Sequence, residues 1–381
     1  GRLLMTTGEF SFVLRQGKVF ALSRPISTAK AIPSMLRALV SEKASKKAEL
    51  SMSQHPEFAA SQRAKVHISR EGDRLSRQEE IVMGRWANAI PVVRNFNRAA
   101  VTFLNKLRFD SWLAMRKTLS KNGKPTLKED TAIGTFVNEA TGRGDLGRIG
   151  NQGAVAAGRL FFAPRYVISR VQLAIGHSLW GGTKRSRAVI AMEYGRYLTG
   201  LAIYYNMLMF GFRQITDDVE LDFDPRSSDF GKIRFGKTRI DPLAGLAQLI
   251  TLVGRGVAGE VKQLSGNVYS IRGEVPYGKP TWWDLGFKFA AYKGHPIPVT
   301  TMNLIGGKDL IGKEATLLNQ AGNLAAPITI VDIYKAFDEQ DLPLATALSM
   351  LAYLGEGLQT FDPKTKKRRT KRTRTRRKGR N

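Results

Sequence analysis

The apolar positions of this chain fall mostly at helical spacing. Between residues 92 and 119 they recur at Val93, Phe96, Ala100, Phe103, Leu104, Leu107, Trp112, Met115 and Leu119, the stripe of one long helix. Pro91 interrupts the chain before it. Arg94, Arg98, Lys106, Arg116 and Lys117 decorate the same stretch and read as a solvated face, with a DNA- or partner-facing face as the sharper alternative. Upstream, Ser76 and Glu79 form a capping box ahead of residues 81–90. Downstream, Asn122-Gly123-Lys124-Pro125 is a turn, and Thr126 with Glu129 boxes a helix reaching about Ala140. Residues 142–153 form a glycine-rich loop, and Pro164 opens a helix to about Ser178. After Gly181-Gly182 the longest helix starts near Thr183 and reaches about Phe212. Its last half, residues 197–212, is apolar and uncharged, which predicts a buried core helix. Sixteen residues span only about 24 Å, short of a bilayer. Membrane insertion after a conformational change is the alternative.

The pattern then changes. Asp217, Asp218, Glu220, Asp222 and Asp224 make an acidic cluster, and alternation over 219–224 predicts a short strand. Residues 232–240 read as a hairpin with Gly236-Lys237 at its tip. Helix returns over 242–261, then loop over 265–281 with a strand near 268–271, and a helix from Thr281 to Tyr292 that Pro296 and Pro298 end. Thr329 and Asp332 cap a helix beginning at Ile330, and residues 345–358 give the last one. The predicted fold is mainly α: an irregular multi-helix body with a small β-hairpin element at 217–240 and a disordered basic C-terminal tail. Its segments are 1–75 (helical or extended), 76–361 (helical body) and 362–381 (Lys/Arg tail).

Charge adds most to this picture. The chain of 381 residues carries a formal +28. Beyond Phe361 stand Lys364, Lys366, Lys367, Arg368, Arg369, Lys371, Arg372, Arg374, Arg376, Arg377, Lys378 and Arg380, opposed only by Asp362. Twelve cations with nothing apolar to bury cannot fold on themselves, and a dense polyanion would neutralise them. With no Phe, Tyr or Trp among them, they are candidate nucleic-acid-binding residues that grip phosphates without stacking on bases. The tail accounts for +11, so the body holds the remaining +17 and is itself basic. There is no cysteine, which excludes disulfides, thiolate metal sites and a thiol nucleophile. The first residue is Gly and the opening has no signal-peptide layout, so the chain reads as a piece of something longer.

Catalytic motifs are weak. Residues 231–238, GKIRFGKT, match the phosphate-loop pattern, which would put Lys237 and Thr238 on phosphate in a nucleotide-using enzyme. The alternation of Ile233 and Phe235 with charged residues argues instead for a half-exposed hairpin. Gly142-x-Gly144-x-x-Gly147 matches the dinucleotide fingerprint, yet it follows a helix and lacks the acidic partner about twenty residues on. A tight crossing between helices explains it better. His55, His67, His177 and His295 form no zinc spacing, and the Asp217–Asp224 carboxylates lack the spacing of a calcium loop. They read as surface acid, with Arg226 as a partner for pairing. No catalytic residue, metal or cofactor is predicted, and the chain is not expected to be an enzyme.

Several stretches resemble the large polyvalent protein-associated domain of tailed bacteriophages. They are FSFVLRQGKVF (10–20), FNRAAVTFLNKLRFDSW (96–112), FVNEATGRGDLG (136–147), RLFFAPRYVISRVQ (159–172) and EYGRYLTGLAIYY (193–205). Two more follow in order, DFDPRSSDFGKIRFGKTRIDPLAG (222–245) and DIYKAFDEQDLPLATALSMLAYLGEGLQTF (332–361). The resemblance implies a module near the C-terminus of a very long phage protein. Upstream modules there include a transglycosylase or a virion RNA polymerase, and the domain has no assigned catalytic residues. It implies an internal virion protein (ejection or inner core), or the C-terminal module of one, packaged in the head near the portal and delivered with the genome. The expected partners are double-stranded DNA, the portal or other internal virion proteins, further copies of the chain, and the host envelope during ejection. Its places would be the virion interior and, after ejection, the host envelope or cytoplasm. A packaging or tethering module for an upstream enzyme is the alternative. The basic tail lies outside the resembling segments.

Overall fold

Pro91 stands at the first position of a long helix. Its missing N–H and fixed φ suit the first helical position, and α6 runs from there as Pro91–Ser120. The computed structural model describes residues 10–69, 90–147, 163–263, 265–273, 275–292 and 328–360. The capping box at Ser76 and Glu79, the stops at Pro296 and Pro298, residues 148–153 of the glycine-rich loop and the whole basic tail lie outside the described residues. Before α6 come α1 (Ser11–Arg15), α2 (Lys18–Ser23), α3 (Pro25–Val40), α4 (Glu42–Ser53) and α5 (Phe58–Arg63). After it come α7 (Leu127–Ala140), α8 (Pro164–Ala174) and α9 (Lys184–Arg213). The sheet region follows: β1 (Glu220–Leu221), β2 (Ile233–Phe235), β3 (Thr238–Asp241), α10 (Leu246–Ala258), β4 (Glu260–Lys262), β5 (Val268–Ser270), α11 (Trp282–Tyr292), α12 (Ile328–Glu339), α13 (Leu342–Leu354) and β6 (Gly357–Thr360).

The stripe on α6 is the spine of the core. Phe103, Leu107, Trp112 and Met115 are fully buried. Removing such side chains from water contributes roughly 1.5–3 kcal/mol each. α3 and α4 lie along this helix. Arg98, placed on the solvated face by sequence, instead donates to the carbonyls of Ala38 (2.5 Å) and Leu39 (3.0 Å) at the end of α3. Arg116 binds Asp130 at 2.9 Å and also pairs with Glu57. Thr126 and Glu129 form the expected capping box on α7. Trp112 Nε1 donates to the Asp130 carbonyl at 3.2 Å, which fixes α7 across α6.

β1, β2, β3 and β6 form one antiparallel sheet in that order. The hairpin pairs Ile233 with Ile240 and Phe235 with Thr238, as the alternation predicted. β6 adds to it by pairing Leu358 with Ile240 and Thr360 with Thr238. This corrects the sequence reading, which carried the last helix through Leu358. Gly355, at φ 116, ends α13 and turns the chain into β6. The helix expected over 242–261 is likewise shorter. Ala244 (φ 50) and Gly245 (φ 86) turn before it, Gly259 (φ 69) ends it, and Val261 joins β4 against β5. Thr329 lies inside the first turn of α12 rather than at its cap.

The long helix departs from expectation in one respect. α9 starts next to Thr183 as expected, with Thr183 as its cap, and Tyr197, Tyr205 and Phe212 are buried. Gly200 admits the Leu22 carbonyl where a Cβ would clash at 2.3 Å, so α2 crosses α9 closely. The opposite face of the apolar half is open to solvent: Ile203, Met207 and Phe210 are exposed there, and Leu198 is exposed on its flank. Among the described residues no helix is long and apolar enough to cross a membrane.

Candidate nucleic-acid interface

A basic centre forms where three helix ends meet. The C-terminus of α6, the turn at Asn122-Gly123 and the N-terminus of α7 carry Lys117, Lys121, Lys124 and Lys128, all exposed. The N-terminus of α9 adds Lys184, Arg185 and Arg187. Arg185 draws the two groups together by donating to the carbonyls of Leu119 (2.8 Å) and Gly123 (3.0 Å). A cation there also suits the negative end of α6. Thr183 Oγ1 donates to Glu129 Oε1 at 2.7 Å, so the capping residues of α7 and α9 share one carboxylate. Its acceptor bonds from Thr126 and Thr183 hold the Glu129 carboxyl below its ordinary value. Lys117, Lys121, Lys124, Lys128 and Lys184 have no acidic partner among the described residues. Two helix N-termini add partial positive charge to the same place. The arrangement can hold an extended anion by its oxygens, and it presents no stacking platform.

Sequence reasoning placed the nucleic-acid contacts in the tail alone. Lys364, Lys366, Lys367, Arg368, Arg369, Lys371, Arg372, Arg374, Arg376, Arg377, Lys378 and Arg380 all lie outside the described residues. The point where the tail leaves the fold is defined, however. Thr360 sits beside Thr238, their hydroxyls 3.2 Å apart, and the ring of neighbouring Phe235 meets Phe212 at 4.6 Å. Phe212 is the far end of α9. The basic centre and the root of the tail are therefore separated by nearly the whole helix, about 45 Å, or about 13 base pairs of duplex at 3.4 Å each. A local signal for the missed centre was present: lysines spaced by four, three and four residues over 117–128, and the run Lys184-Arg185-Ser186-Arg187.

The other motifs resolve into structure. The phosphate-loop match is the β2–β3 hairpin, with strand where a helix would have to follow. Lys237 Nζ pairs with Glu339 at 2.7 Å, and Thr238 Oγ1 accepts from Gln340 at 3.0 Å. At the glycine fingerprint, Gly144 N donates to the Arg165 carbonyl at 3.1 Å, and a Cβ there would strike Ser169 N. It is a helix crossing, as expected. Asp222 and Asp224 are engaged by Arg226 and Lys262, and the Arg226 guanidinium holds the Asp224 carboxyl well below the usual range. No cluster of metal-ligating side chains occurs among the described residues. His177 Nδ1 lies 2.5 Å from Glu139 Oε1, and burial raises that carboxyl.

A buried ion pair joins the ends of the described chain. Lys18 on α2 pairs with Glu356, both buried, and Tyr204 Oη donates to Glu356 Oε1 at 2.7 Å. Burial pushes Lys18 down and Glu356 up, against their mutual attraction. This cluster ties α2, α9 and the start of β6 together and serves the fold.

No family model, no curated protein and no solved structure matches the chain.

Proposed function

We propose that this chain binds duplex DNA through its phosphates, without reading sequence, at two basic centres. One is the cluster at 117–128 and 184–187; the other is the tail at 363–381. One observation carries the reading: exposed lysines, without an acidic partner among the described residues, gathered into a single centre by Arg185, whose own acidic neighbour is Glu129 at 3.7 Å. A polyanion with regularly spaced charge supplies what the fold withholds, and its condensed counterions are released on binding. We further propose, on the resemblance of the seven segments, that the chain is an internal virion protein of a tailed phage or the C-terminal module of one. Packaged near the portal and delivered with the genome, it would hold that genome by charge alone.

The test is affinity for duplexes of unrelated sequence across a salt series. Equal affinities are expected. With 6–10 phosphate contacts, binding should weaken by about 10³–10⁵ between 50 and 200 mM salt. Removing 363–381 should flatten the slope markedly. Failure to bind duplex at low ionic strength would overturn the proposal. An unchanged slope after truncation would remove the tail from it.

A further inference from the structure

The outer face of α9 has no neighbour among the described residues. Ile203, Met207 and Phe210, which share one stripe of the helix, are 56%, 66% and 71% exposed. Gly195, Thr199, Ala202 and Asn206 lie exposed between them. No charged residue occurs from 197 through 212. The opposite face of the same helix is seated in the core by Tyr197, Tyr205 and Phe212, so the helix is held by its fold and still presents apolar side chains to solvent. A contiguous apolar face of this kind marks an interaction site more often than an accident of composition.

We propose that this face docks on an anionic lipid surface. The helix would lie in the headgroup plane, Ile203, Met207 and Phe210 entering the acyl boundary and its flanking cations meeting the headgroups. Charge decides the occupant. Arg196 stands at one end of the patch and Arg213 at the other, both exposed. The acid of α9, Glu193, is buried and shared between Arg24 and Arg196. An antiparallel two-fold pair centred on the patch would bring Arg196 of one copy beside Arg213 of the other. A parallel pair would set each Arg against its own copy. Both arrangements oppose like charges on an already basic surface. Duplex DNA would satisfy the two arginines and leave the apolar side chains between them without cover. Anionic lipid satisfies both.

The chain has no cysteine, so Met207→Cys gives a single site for an environment-sensitive NBD dye, and Ser53→Cys on α4 gives a control. Each labelled full chain is titrated with vesicles of phosphatidylglycerol and phosphatidylcholine, with pure phosphatidylcholine vesicles, and with a short duplex. Dye at position 207 should brighten and shift to the blue only with the anionic vesicles, and doxyl-labelled lipid should quench it. Dye at position 53 should not respond. Separately, the unlabelled double variant Ile203→Asp/Phe210→Asp should sediment with anionic vesicles about tenfold more weakly or worse. The uncharged double variant Ile203→Ser/Phe210→Ser should weaken vesicle binding likewise and keep duplex affinity within about twofold, because it adds no charge beside the root of the tail. The inference does not rest on the nucleic-acid reading, and the two affinities fail separately. No response to anionic vesicles overturns it. So does a blue shift without lipid that grows with protein concentration, which would assign the face to a second copy, or a shift caused by duplex.

Discussion

The helical region and the sheet region use their cations differently. Residues 10–69, 90–147 and 163–213 carry 27 Lys and Arg against 9 Asp and Glu. Residues 217–263, 265–273, 275–292 and 328–360 carry 11 against 14. In the sheet region five of the eleven cations are spent on acids: Arg226 on Asp224 and Glu260, Arg234 on Glu220, Lys237 on Glu339, Arg239 on Asp229, Lys262 on Asp222. Short strands with little apolar area gain order from these pairs. The helical region supplies most of the shared core, and Lys117, Lys121, Lys124, Lys128 and Lys184 have no acidic partner among the described residues, so they stay available to an outside anion. Net charge alone does not locate a polyanion site; unpaired charge does.

The largest effect that would sharpen this contrast is on DNA affinity. Replacing Lys117, Lys121, Lys124 and Lys128 together with Gln should lower the salt slope by about 3–4 and affinity by about 10³ at 0.1 M salt. Replacing Arg226, Arg234, Lys237 and Lys262 in the same way should leave binding nearly unchanged while lowering the melting temperature. Equal losses of affinity in the two sets would erase the distinction between the regions.

Next comes the link between them. Lys18→Met leaves Glu356 buried and unpaired, which should cost about 3–5 kcal/mol. The double variant Lys18→Met/Glu356→Gln should recover part of that in denaturant titrations, since Tyr204 can still donate to the amide oxygen. If the single variant is neutral, the pair does not join the regions energetically.

The smallest effect concerns pH. Burial raises the Asp332 carboxyl from 3.8 to about 6, so the folded state binds a proton that the unfolded state releases. The stabilisation is complete below about pH 4 and is lost as pH rises through about 6. Asp332→Asn should flatten stability across that window and raise the neutral-pH melting temperature by about 2–4 °C. A melting curve that keeps its pH dependence would assign the titration elsewhere.

Local signals made much of the fold legible. The α6 stripe, the box at Thr126, the helix start near Thr183 and the 232–240 hairpin each depend on neighbours a few residues apart. β6 was not legible because Thr360 meets Thr238 across 122 residues, and four residues carry too little pattern to announce a strand. The open face of α9 was hidden for another reason. Residues 197–212 are apolar all round, so periodicity could not say which side meets the core. The basic centre was half visible, as spaced lysines, but joining 117–128 to 184–187 takes the long-range reach of Arg185 to Leu119 and Gly123. The apparent nucleotide motif misled only as a string, since Ile233 and Phe235 already pointed to a hairpin.

Amine-reactive footprinting of the full chain, with and without a random-sequence duplex, tests the central claim most directly. Protection is predicted at Lys117, Lys121, Lys124, Lys128, Lys184 and the tail lysines Lys364, Lys366, Lys367, Lys371 and Lys378, with Lys237, Lys262, Lys279 and Lys335 unchanged. Protection of the sheet-region lysines instead, or of none, would contradict the account.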